Sequence, residues 1–279
     1  MSFVIRPARP EDVPSIAVWT RDTFPWGDYV PEQLAEWLAD DRSLVIVCTY
    51  EDDVPVAVAR AQLLTPTEGW LSGARVHPEH RRAGMGSAMN DYSADWCRQH
   101  GARVARLVVE EGNQPARGQV ERIGYRPVSH WLYAIAEVTP GRSPTPGRLR
   151  PAGSLDADAA WMLWSQSDLA KAGRELLAER WRWRRATRDD LERAVADRSL
   201  YQGEAGYAVV DEIESGIALR WLVTTDADAP IMLQELFGLA RERGAISIEA
   251  MVPDTPWLAE AMRREGFEAR PMVIYAKAL

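Results

Sequence analysis

The first half of the chain alternates between two kinds of hydrophobic spacing. Apolar residues at every second position, or in short unbroken runs rich in valine, predict strands. Apolar residues three and four positions apart predict amphipathic helices. By these criteria the strands are predicted at 3–6, 43–50, 54–64, 69–76, 105–110 and 127–138. The helices are predicted at 10–24, 31–41, 86–100 and 115–123.

The second half of the chain echoes the first. The segment "VIRPARPEDVPSIAVW" near the start resembles "RLRPAGSLDADAAWMLW" from Arg148. The segment "CRQHGARVARLVVEEGNQPARGQVERIGYRPV" from Cys97 resembles "ARERGAISIEAMVPDTPWLAEAMRREGFEARPM" from Ala240. The offset is about 142 to 144 residues in both cases. Two echoes in the same order at one offset predict two copies of one fold.

We therefore predict an α/β protein with two tandem domains, each a mixed, mostly antiparallel sheet flanked by helices. The first domain is predicted at 1–138 and the second at 148–279, joined by a Pro-, Gly- and Ser-rich linker at 139–147. In the second copy, "WMLW" (161–164) and "WRW" (181–183) are predicted to lie in helices. The tryptophans of the first could pack in the core, or line an acceptor groove.

Composition narrows the class of protein. A net charge of −8 and a pI near 5.2 argue against a nucleic-acid-binding protein. Since no apolar run is long enough for a membrane span or a signal peptide, we expect no membrane association and a cytoplasmic location. Cys48 and Cys97 lie in apolar stretches and are expected to be buried, reduced thiols. The four histidines show no spacing typical of a metal site, so no metal is expected.

The candidate chemistry concentrates in "HPEHRRAGMGS", residues 77–87, between a predicted strand and a predicted helix. The first amides of a helix have no partner within the helix, and the helix dipole makes this end positive. Gly84 and Gly86 allow phosphate oxygens to approach the backbone, and Arg81 and Arg82 add forked, charged donors. The pattern predicts a site for a pyrophosphate-bearing ligand. The alternative is an ordinary turn with solvated arginines.

Two motifs resemble those of the GCN5-related N-acetyltransferases over residues 2–137. "RRAGMG" is similar to that family's R/Q-x-x-G-x-G/A signature, and "GNQPARGQVERIGY" looks like its later motif. The resemblance implies that acetyl-CoA is a co-substrate. Val76 would lie on the strand whose backbone pairs with the pantetheine arm, and Asn113 would lie near the thioester. The residues that would line the pyrophosphate are Arg81, Arg82, Gly84, Gly86 and Ser87.

The resemblance is incomplete at the residues that move protons. Many family members carry a tyrosine that protonates the departing thiolate, but Val120 stands at that position here. Three nearby side chains could replace it, or could instead have packing or surface roles: Tyr125, His130 and Tyr133.

The general base is also open, because the predicted strand 69–76 contains no carboxylate. The candidates are Glu68, which precedes that strand, and Glu110 and Glu111, which end the next one. Since side chains alternate along a strand, only one of Glu110 and Glu111 can face a given side. Each could also be an ordinary solvated carboxylate.

The second copy departs further from the family pattern. "VTTDADA" at 223–229 stands where the first copy has "HRRAGMG", and Asp226 and Asp228 place negative charge where phosphate would bind. We interpret it as a degenerate copy without a cofactor site that walls the acceptor pocket. This is consistent with a monomer whose two domains pack as a pseudo-dimer.

Two functions follow from these observations. The first is an acetyl-CoA-dependent N-acetyltransferase, an acyltransferase that moves acetyl directly to a primary amine of a small molecule or peptide. The aromatic and acidic segment "DTFPWGDYVPEQ" (22–33) is consistent with a cationic acceptor. The second is a non-catalytic acyl-CoA-binding sensor or scaffold protein, which the missing tyrosine favours.

Overall fold

A computed structural model of the 279-residue chain describes residues 2–21, 23, 27–139, 148–214 and 216–279. Within these ranges no helix combines the length and the apolar character that crossing a membrane requires.

The first run of elements follows the predicted order. It consists of β1 (Val4–Pro7), α1 (Val13–Thr20), α2 (Val30–Ala39), β2 (Ser43–Thr49), β3 (Pro55–Thr65), β4 (Glu68–Val76), α3 (Met85–Gln99), β5 (Val104–Glu110), α4 (Gln114–Arg122) and β6 (Arg126–Glu137). The one large difference is α1, which is shorter than the predicted 10–24. Pro14 lacks an amide and fits an α-helix only in its first turn, so 10–12 form a 3₁₀ turn and the α-helix begins at Val13.

The second run repeats this order with an insertion. It consists of β7 (Arg150–Pro151), α5 (Ser154–Gln166), α6 (Asp168–Ala172), β8 (Leu176–Glu179), β9 (Arg182–Arg185), α7 (Arg188–Ala196), β10 (Leu200–Gly203), β11 (Gly206–Ile213), β12 (Gly216–Val223), α8 (Ala229–Glu242), β13 (Ser247–Pro253), α9 (Pro256–Arg264) and β14 (Glu268–Ala278). Without α6 and the β8–β9 hairpin, the order equals that of the first run. The predicted fold class, mixed α/β with mostly antiparallel pairing and flanking helices, is confirmed.

The helical prediction for "WRW" is wrong. Arg180 and Trp181 form the two-residue turn of the β8–β9 hairpin, with the positive φ values (47° and 67°) that a type I′ turn requires. Trp183 lies in β9 and is 1% exposed. The sequence signal is the period of two in "RWRWRR", where aromatic and charged residues alternate as in a half-buried strand. "WMLW" does lie in a helix, α5, and the rings of Trp161 and Trp164 lie 5.2 Å apart.

The chain divides into two compact units whose bounds differ from the predicted domains. The first unit contains 1–108, 114–126 and 275–279, and the second contains 109–113 and 127–274. In the first unit the C-terminal residues of β14 lie beside β5, where the Leu279 amide donates to the Arg103 carbonyl at 3.1 Å. In the second unit β6 pairs with β13 in antiparallel register over seven residue pairs, from Trp131 with Pro253 to Glu137 with Ser247. Of the predicted linker 139–147, only Thr139 is described.

The core of the first unit has two layers because side chains alternate along β2. Val45 and Val47 face α1 and α2, whereas Ile46 and Cys48 face α3. Cys48 and Cys97 are both fully buried and unpaired, as expected from the sequence. Burial raises the pKa of each thiol to about 12, so both stay protonated and unreactive at neutral pH.

A buried polar network closes the turn between α2 and β2. The Asp40 carboxylate accepts hydrogen bonds from the Ser43 hydroxyl at 2.6 Å, the Gln62 amide at 2.8 Å and the Arg60 guanidinium at 2.9 Å. Partial burial raises the pKa of Asp40, but these donors and the Arg42 amide outweigh it and hold the pKa at about 2.

This network predicts a loss of stability in acid. A carboxyl group whose folded pKa lies below its unfolded value stabilises the fold above the unfolded pKa, and this contribution is lost as pH falls through the folded pKa. Asp40→Asn should therefore lower the free energy of unfolding by about 2 kcal/mol at pH 7, and by progressively less between about pH 4 and pH 2. Urea unfolding at several pH values measures this. Asp41→Asn, an exposed neighbour, is the control and should follow the wild type; equal effects of the two variants would contradict the prediction.

Candidate functional site

The parallel strands β4 and β5 separate early. They pair over three residue pairs, from Glu68 with Val104 to Trp70 with Arg106. Beyond Trp70, among the described residues, the edge of β4 that faces β5 has no strand pairing up to Val76. Backbone amides and carbonyls on such an edge remain available to a ligand or to water. Val76, predicted to lie on a ligand-pairing strand, is the last residue of this edge.

A bulge in β4 accompanies the separation. The register between β3 and β4 shifts between Val58 and Arg60, opposite the segment that contains Gly73. Gly73 has φ +66°, and a β-carbon there would lie 2.7 Å from the ring of Trp37. A bulge bends its strand, and this one needs a residue without a side chain because Trp37 of α2 packs directly against the backbone.

The corner between β4 and α3 presents unpaired amides, as predicted. Gly84 has φ +85° and ψ −5°, and the helix begins at the next residue. The first helical hydrogen bond runs from the Ala88 amide to the Gly84 carbonyl at 3.1 Å, so the amides of Met85, Gly86 and Ser87 precede it. A left-handed residue followed by right-handed ones points successive amides toward one place, which favours an anion. A β-carbon at Gly84 would meet no atom within 4 Å, so there is space beside the backbone.

The two arginines of the corner are exposed and have no carboxylate partner among the described residues. Arg82 has φ +66°, which a non-glycine residue adopts at a cost of about 1 kcal/mol. The structure therefore brings Val76, Arg81, Arg82, Gly84 and the 86–87 pair together at one corner of the first unit. Helix dipole, free amides and two unpaired cations all favour a negatively charged ligand here.

Gly86 has a different role from Gly84. A β-carbon at Gly86 would lie 2.6 Å from the side-chain nitrogen of Gln119, which belongs to α4. The absence of a side chain at Gly86 lets α3 and α4 approach closely at the corner. The sequence pattern did not identify Gln119, because a polar residue in a short helix carries no signal of what it contacts.

Helix α4 is held by a residue far away in the sequence. The Tyr275 hydroxyl accepts a hydrogen bond from Arg117 at 3.0 Å and donates one to Glu121 at 2.7 Å. Tyr275 is fully buried, and burial raises the pKa of its hydroxyl. Arg117 and Glu121 lie one turn apart on α4, so one hydroxyl fixes that face of the helix. No local sequence signal connects β14 to α4.

The structure does not support Tyr125 as a proton donor. Tyr125 is 0% exposed, its hydroxyl has no hydrogen-bond partner in the described structure, and Lys277 lies 5.6 Å above its ring. Burial, with a smaller contribution from the nearby Cys97 and Asp91, raises the pKa of Tyr125 well above its usual value. Tyr125 is thus a core residue, the alternative role considered from the sequence. Val120, which stands at the position of the family's tyrosine, is also buried and has no proton to donate.

The candidate carboxylates lie in different environments. Glu68 is buried in an ion pair with Arg106 at 2.6 Å, and it begins β4, roughly 26 Å along the strand from Val76. This position removes Glu68 as a candidate base. Glu110 is exposed at the end of β5. Glu111 is half-exposed, and its carboxylate lies 3.4 Å from Nδ1 of His130.

Glu110, Glu111 and Asn113 all belong to 109–113, which is part of the second unit. Asn113 is exposed in the turn before α4, and its amide donates to the Glu110 carbonyl at 3.0 Å. The roles predicted for these three residues stay predictions.

The segment 22–33, which the sequence analysis considered acidic, has one of its negative charges neutralised by an ion pair. Asp28 is fully buried at its side chain and accepts two hydrogen bonds from Arg75 of β4, at 2.6 and 3.1 Å. Its charge is therefore neutralised by Arg75 and is not available to a cationic acceptor. Four residues of the segment, Asp22 and 24–26, lie outside the described part of the chain.

The equivalent corner of the second unit has different chemistry. β12 and β13 are parallel and pair over four residue pairs, which resembles the pairing of β4 with β5. Helix α8, however, carries Pro230 in its first turn, and proline has no amide to offer. Asp228 stands at the N-cap, where its carboxylate accepts a hydrogen bond from the Thr225 hydroxyl at 2.6 Å. A negative residue thus lies where the first unit has Gly84.

Comparison with known proteins agrees with this geometry. The profile of the acetyltransferase (GNAT) family matches residues 13–125. No curated protein sequence matches the chain. A GCN5-related N-acetyltransferase from Sphaerobacter thermophilus has a similar fold, with a TM-score of 0.70 and 19% identity, covering 99% of this chain and 95% of that one.

Two further solved structures resemble the chain over its length. A candidate acetyltransferase from Thermoplasma acidophilum has a TM-score of 0.63 and 19% identity, covering 99% of this chain and 100% of that one. One from Pyrococcus horikoshii has a TM-score of 0.59 and 15% identity, covering 99% and 89%. At these identities the three likenesses establish the fold alone.

The contact between Gly73 and Trp37 predicts that the bulge tolerates no side chain. Gly73→Ala should lower the free energy of unfolding by about 2 kcal/mol or more, because it adds backbone strain at positive φ to a clash with a rigid ring. Gly86→Ala is the matched control: the flexible end of Gln119 can move aside, and alanine is the better helix former, so the change should stay within about 1 kcal/mol. Urea unfolding measures both. If Gly73→Ala left the free energy of unfolding unchanged, Trp37 would not constrain β4.

Proposed function

Since the profile of the acetyltransferase (GNAT) family matches residues 13–125, we propose that the protein transfers acetyl from acetyl-CoA to a primary amine of a small molecule or peptide. The observation that carries the proposal is the β4–α3 corner, where unpaired amides, an open glycine and two arginines lie together, and these arginines have no carboxylate partner in the described part of the chain. Acetyl-CoA would supply an activated acyl group as a thioester. The chain's own residues would bind it, orient it and accept a proton.

The corner fits the pyrophosphate of acetyl-CoA in charge and in space. Amides of 85–87 and the guanidinium groups of Arg81 and Arg82 would bind its oxygens, as backbone and arginine donors bind phosphate elsewhere. Gly84 leaves room for them at the backbone. The unpaired edge of β4, ending at Val76, would hold the pantetheine arm by strand-like hydrogen bonds.

The transfer itself needs one proton removed from the acceptor. The amine nitrogen forms a bond to the acyl carbon, the carbon–sulfur bond breaks, and the amine proton passes to a base. We assign this base to Glu111, whose neighbour His130 can share the proton at 3.4 Å. Because a thiol with a pKa near 8.5 is a fair leaving group, the reaction can proceed without the tyrosine that Val120 replaces.

The second unit is proposed to bind no acetyl-CoA. Pro230 removes an amide from the start of α8, and Asp228 places a negative charge at its N-cap. Like charges disfavour pyrophosphate there. The binding stoichiometry expected from this reasoning is one acetyl-CoA per chain.

A second candidate function is an acyl-CoA-binding sensor or scaffold protein without turnover. The observation that favours it is the burial of Tyr125, which removes one of the side chains that could protonate the thiolate in place of the tyrosine that Val120 replaces. Release of free thiol in the presence of an amine panel separates the two functions, because a sensor binds acetyl-CoA but releases none.

Calorimetric titration with acetyl-CoA tests the corner directly. The wild type should bind one equivalent, and Gly84→Glu should weaken binding by at least about tenfold, or 1.4 kcal/mol, since it fills the open space with a negative charge. Gly266→Glu is the matched control, because Gly266 also has positive φ (+91°) and open space around its α-carbon. Binding of two equivalents would refute the proposal that the second unit binds no acetyl-CoA. Equal affinities of the two variants would refute the proposal that the β4–α3 corner is the binding site.

The pH dependence of the rate tests the base. Glu111→Gln should lower kcat by about 10² to 10⁴, because water then has to accept the proton. It should also remove the acidic limb of the pH–rate profile, while KM for acetyl-CoA stays near that of the wild type. Glu110→Gln is the control and should retain the profile. Retention of the full profile by Glu111→Gln would assign proton transfer to another group.

A further inference from the structure

A cluster of three metal-ligating side chains lies on the turn after β4. The turn is a 3₁₀ helix, Pro78–His80, with His77 at its N-cap. His77, Glu79 and His80 each offer one ligand atom, and these atoms all lie within 4.8 Å of one another. In a 3₁₀ helix, residues three apart lie above one another, which places both imidazoles on one side. The sequence analysis did not identify this proximity, because it found no metal-ligand spacing among the four histidines.

The distances suit a single ion after a small adjustment. Zinc binds imidazole nitrogen and carboxylate oxygen at about 2.0–2.2 Å in tetrahedral geometry, so two ligands of one ion lie about 3.4 Å apart. Bringing atoms that lie within 4.8 Å of one another to this separation requires shifts of up to about 1.4 Å, which rotation of exposed or half-exposed side chains can provide.

An aromatic side chain lies beside each of the two imidazole rings. The Trp19 ring contacts His77 edge-on with centroids 5.8 Å apart, and the Trp19 indole is itself fixed by a 3.1 Å hydrogen bond to the Pro55 carbonyl. The Tyr50 ring lies 5.3 Å from that of His80. These two aromatic contacts limit the orientations that the imidazole rings can adopt.

The ligand atoms themselves are nearly free. In the described structure the Glu79 carboxylate and the His80 ring nitrogens have no hydrogen-bond partner. His77 Nδ1 accepts one hydrogen bond, from the Glu79 amide, at 3.3 Å. This bond is long, and it directs the Nδ1 lone pair toward the turn that carries the other two ligands. An ion could replace it at small cost.

We propose that His77, Glu79 and His80 bind one divalent first-row transition-metal ion, such as Zn²⁺. Two imidazoles with one carboxylate suit zinc, cobalt, nickel and copper and suit calcium and magnesium poorly. Three protein ligands leave at least one position for water or another oxygen ligand. The ion would also neutralise Glu79, whose carboxylate has no cationic partner among the described residues, in the segment that leads directly into Arg81. The proposal is independent of the proposed acetyl transfer.

Calorimetric titration of the untagged full-length chain with ZnCl₂ tests the site. The wild type should bind one equivalent with micromolar affinity or better. His80→Ala and Glu79→Gln should each weaken binding by at least about tenfold. His80 and Glu79 are chosen because His77 also packs against Trp19, so its removal could disturb the fold. The matched controls are His100→Ala and Glu36→Gln, both exposed and outside the cluster, and these should bind as the wild type does.

Cobalt provides a second readout that reports the ligands. Co²⁺ bound by two imidazoles and a carboxylate in a four- or five-coordinate site has visible absorption bands that are much more intense than those of aqueous Co²⁺. The wild type should show these bands at one equivalent, Zn²⁺ should displace them, and His80→Ala should lose them. The proposal is overturned if the wild type shows no saturable binding, or if His80→Ala and Glu79→Gln bind metal as tightly as the controls.

Discussion

The early separation of β4 from β5 is the constraint on which the candidate site depends. Two parallel strands that paired along their whole length would satisfy each other's backbone groups and leave nothing for a ligand. Here pairing ends at Trp70, and a bulge at Gly73 bends β4 where Trp37 packs against its backbone. The strand then runs through a short turn into α3, so the free edge of a strand and the free amides of a helix lie next to each other in the chain. Both kinds of unpaired group come from the backbone, and side chains only add charge to them.

The second unit has a similar short strand pairing but different chemistry at the start of the helix that follows. β12 and β13 also pair over a short stretch, and α8 follows β12 as α3 follows β4. The difference lies in a few residues at the start of the helix: Pro230 has no amide, and Asp228 is negative where Gly84 is open. The fold depends on the alternation of apolar residues, and this alternation tolerates such changes. Binding of an anion depends on the amides and charges of single residues at the start of the helix, so one substitution there can abolish it.

The segment that matches the acetyltransferase family does not contain everything that builds its unit. Tyr275, some 150 residues beyond α4 in the chain, fixes Arg117 and Glu121 on that helix, and the last residues of β14 lie beside β5. Conversely, β6 follows α4 directly in the chain but pairs with β13. The geometry around Gln119 and Gly86 therefore depends on contacts made by the end of the chain. The order of elements reveals two copies of one pattern. It does not reveal to which unit the last strand of each run, β6 or β14, contributes its residues.

The sequence by itself determined the features that arise from local spacing. The ten elements of the first run, the corner with its two glycines, the buried cysteines and the repeated order all follow from periodicity, turn chemistry and charge within a few residues. Only the tertiary structure decided that Tyr125 is buried, that Glu68 is paired with Arg106, that Glu111 lies beside His130 and that "WRWRR" turns back as a hairpin. It also decided the bounds of the two units. These outcomes depend on which distant segments pack together, and the pairing of strands far apart in the chain leaves no signal in the spacing of neighbouring residues.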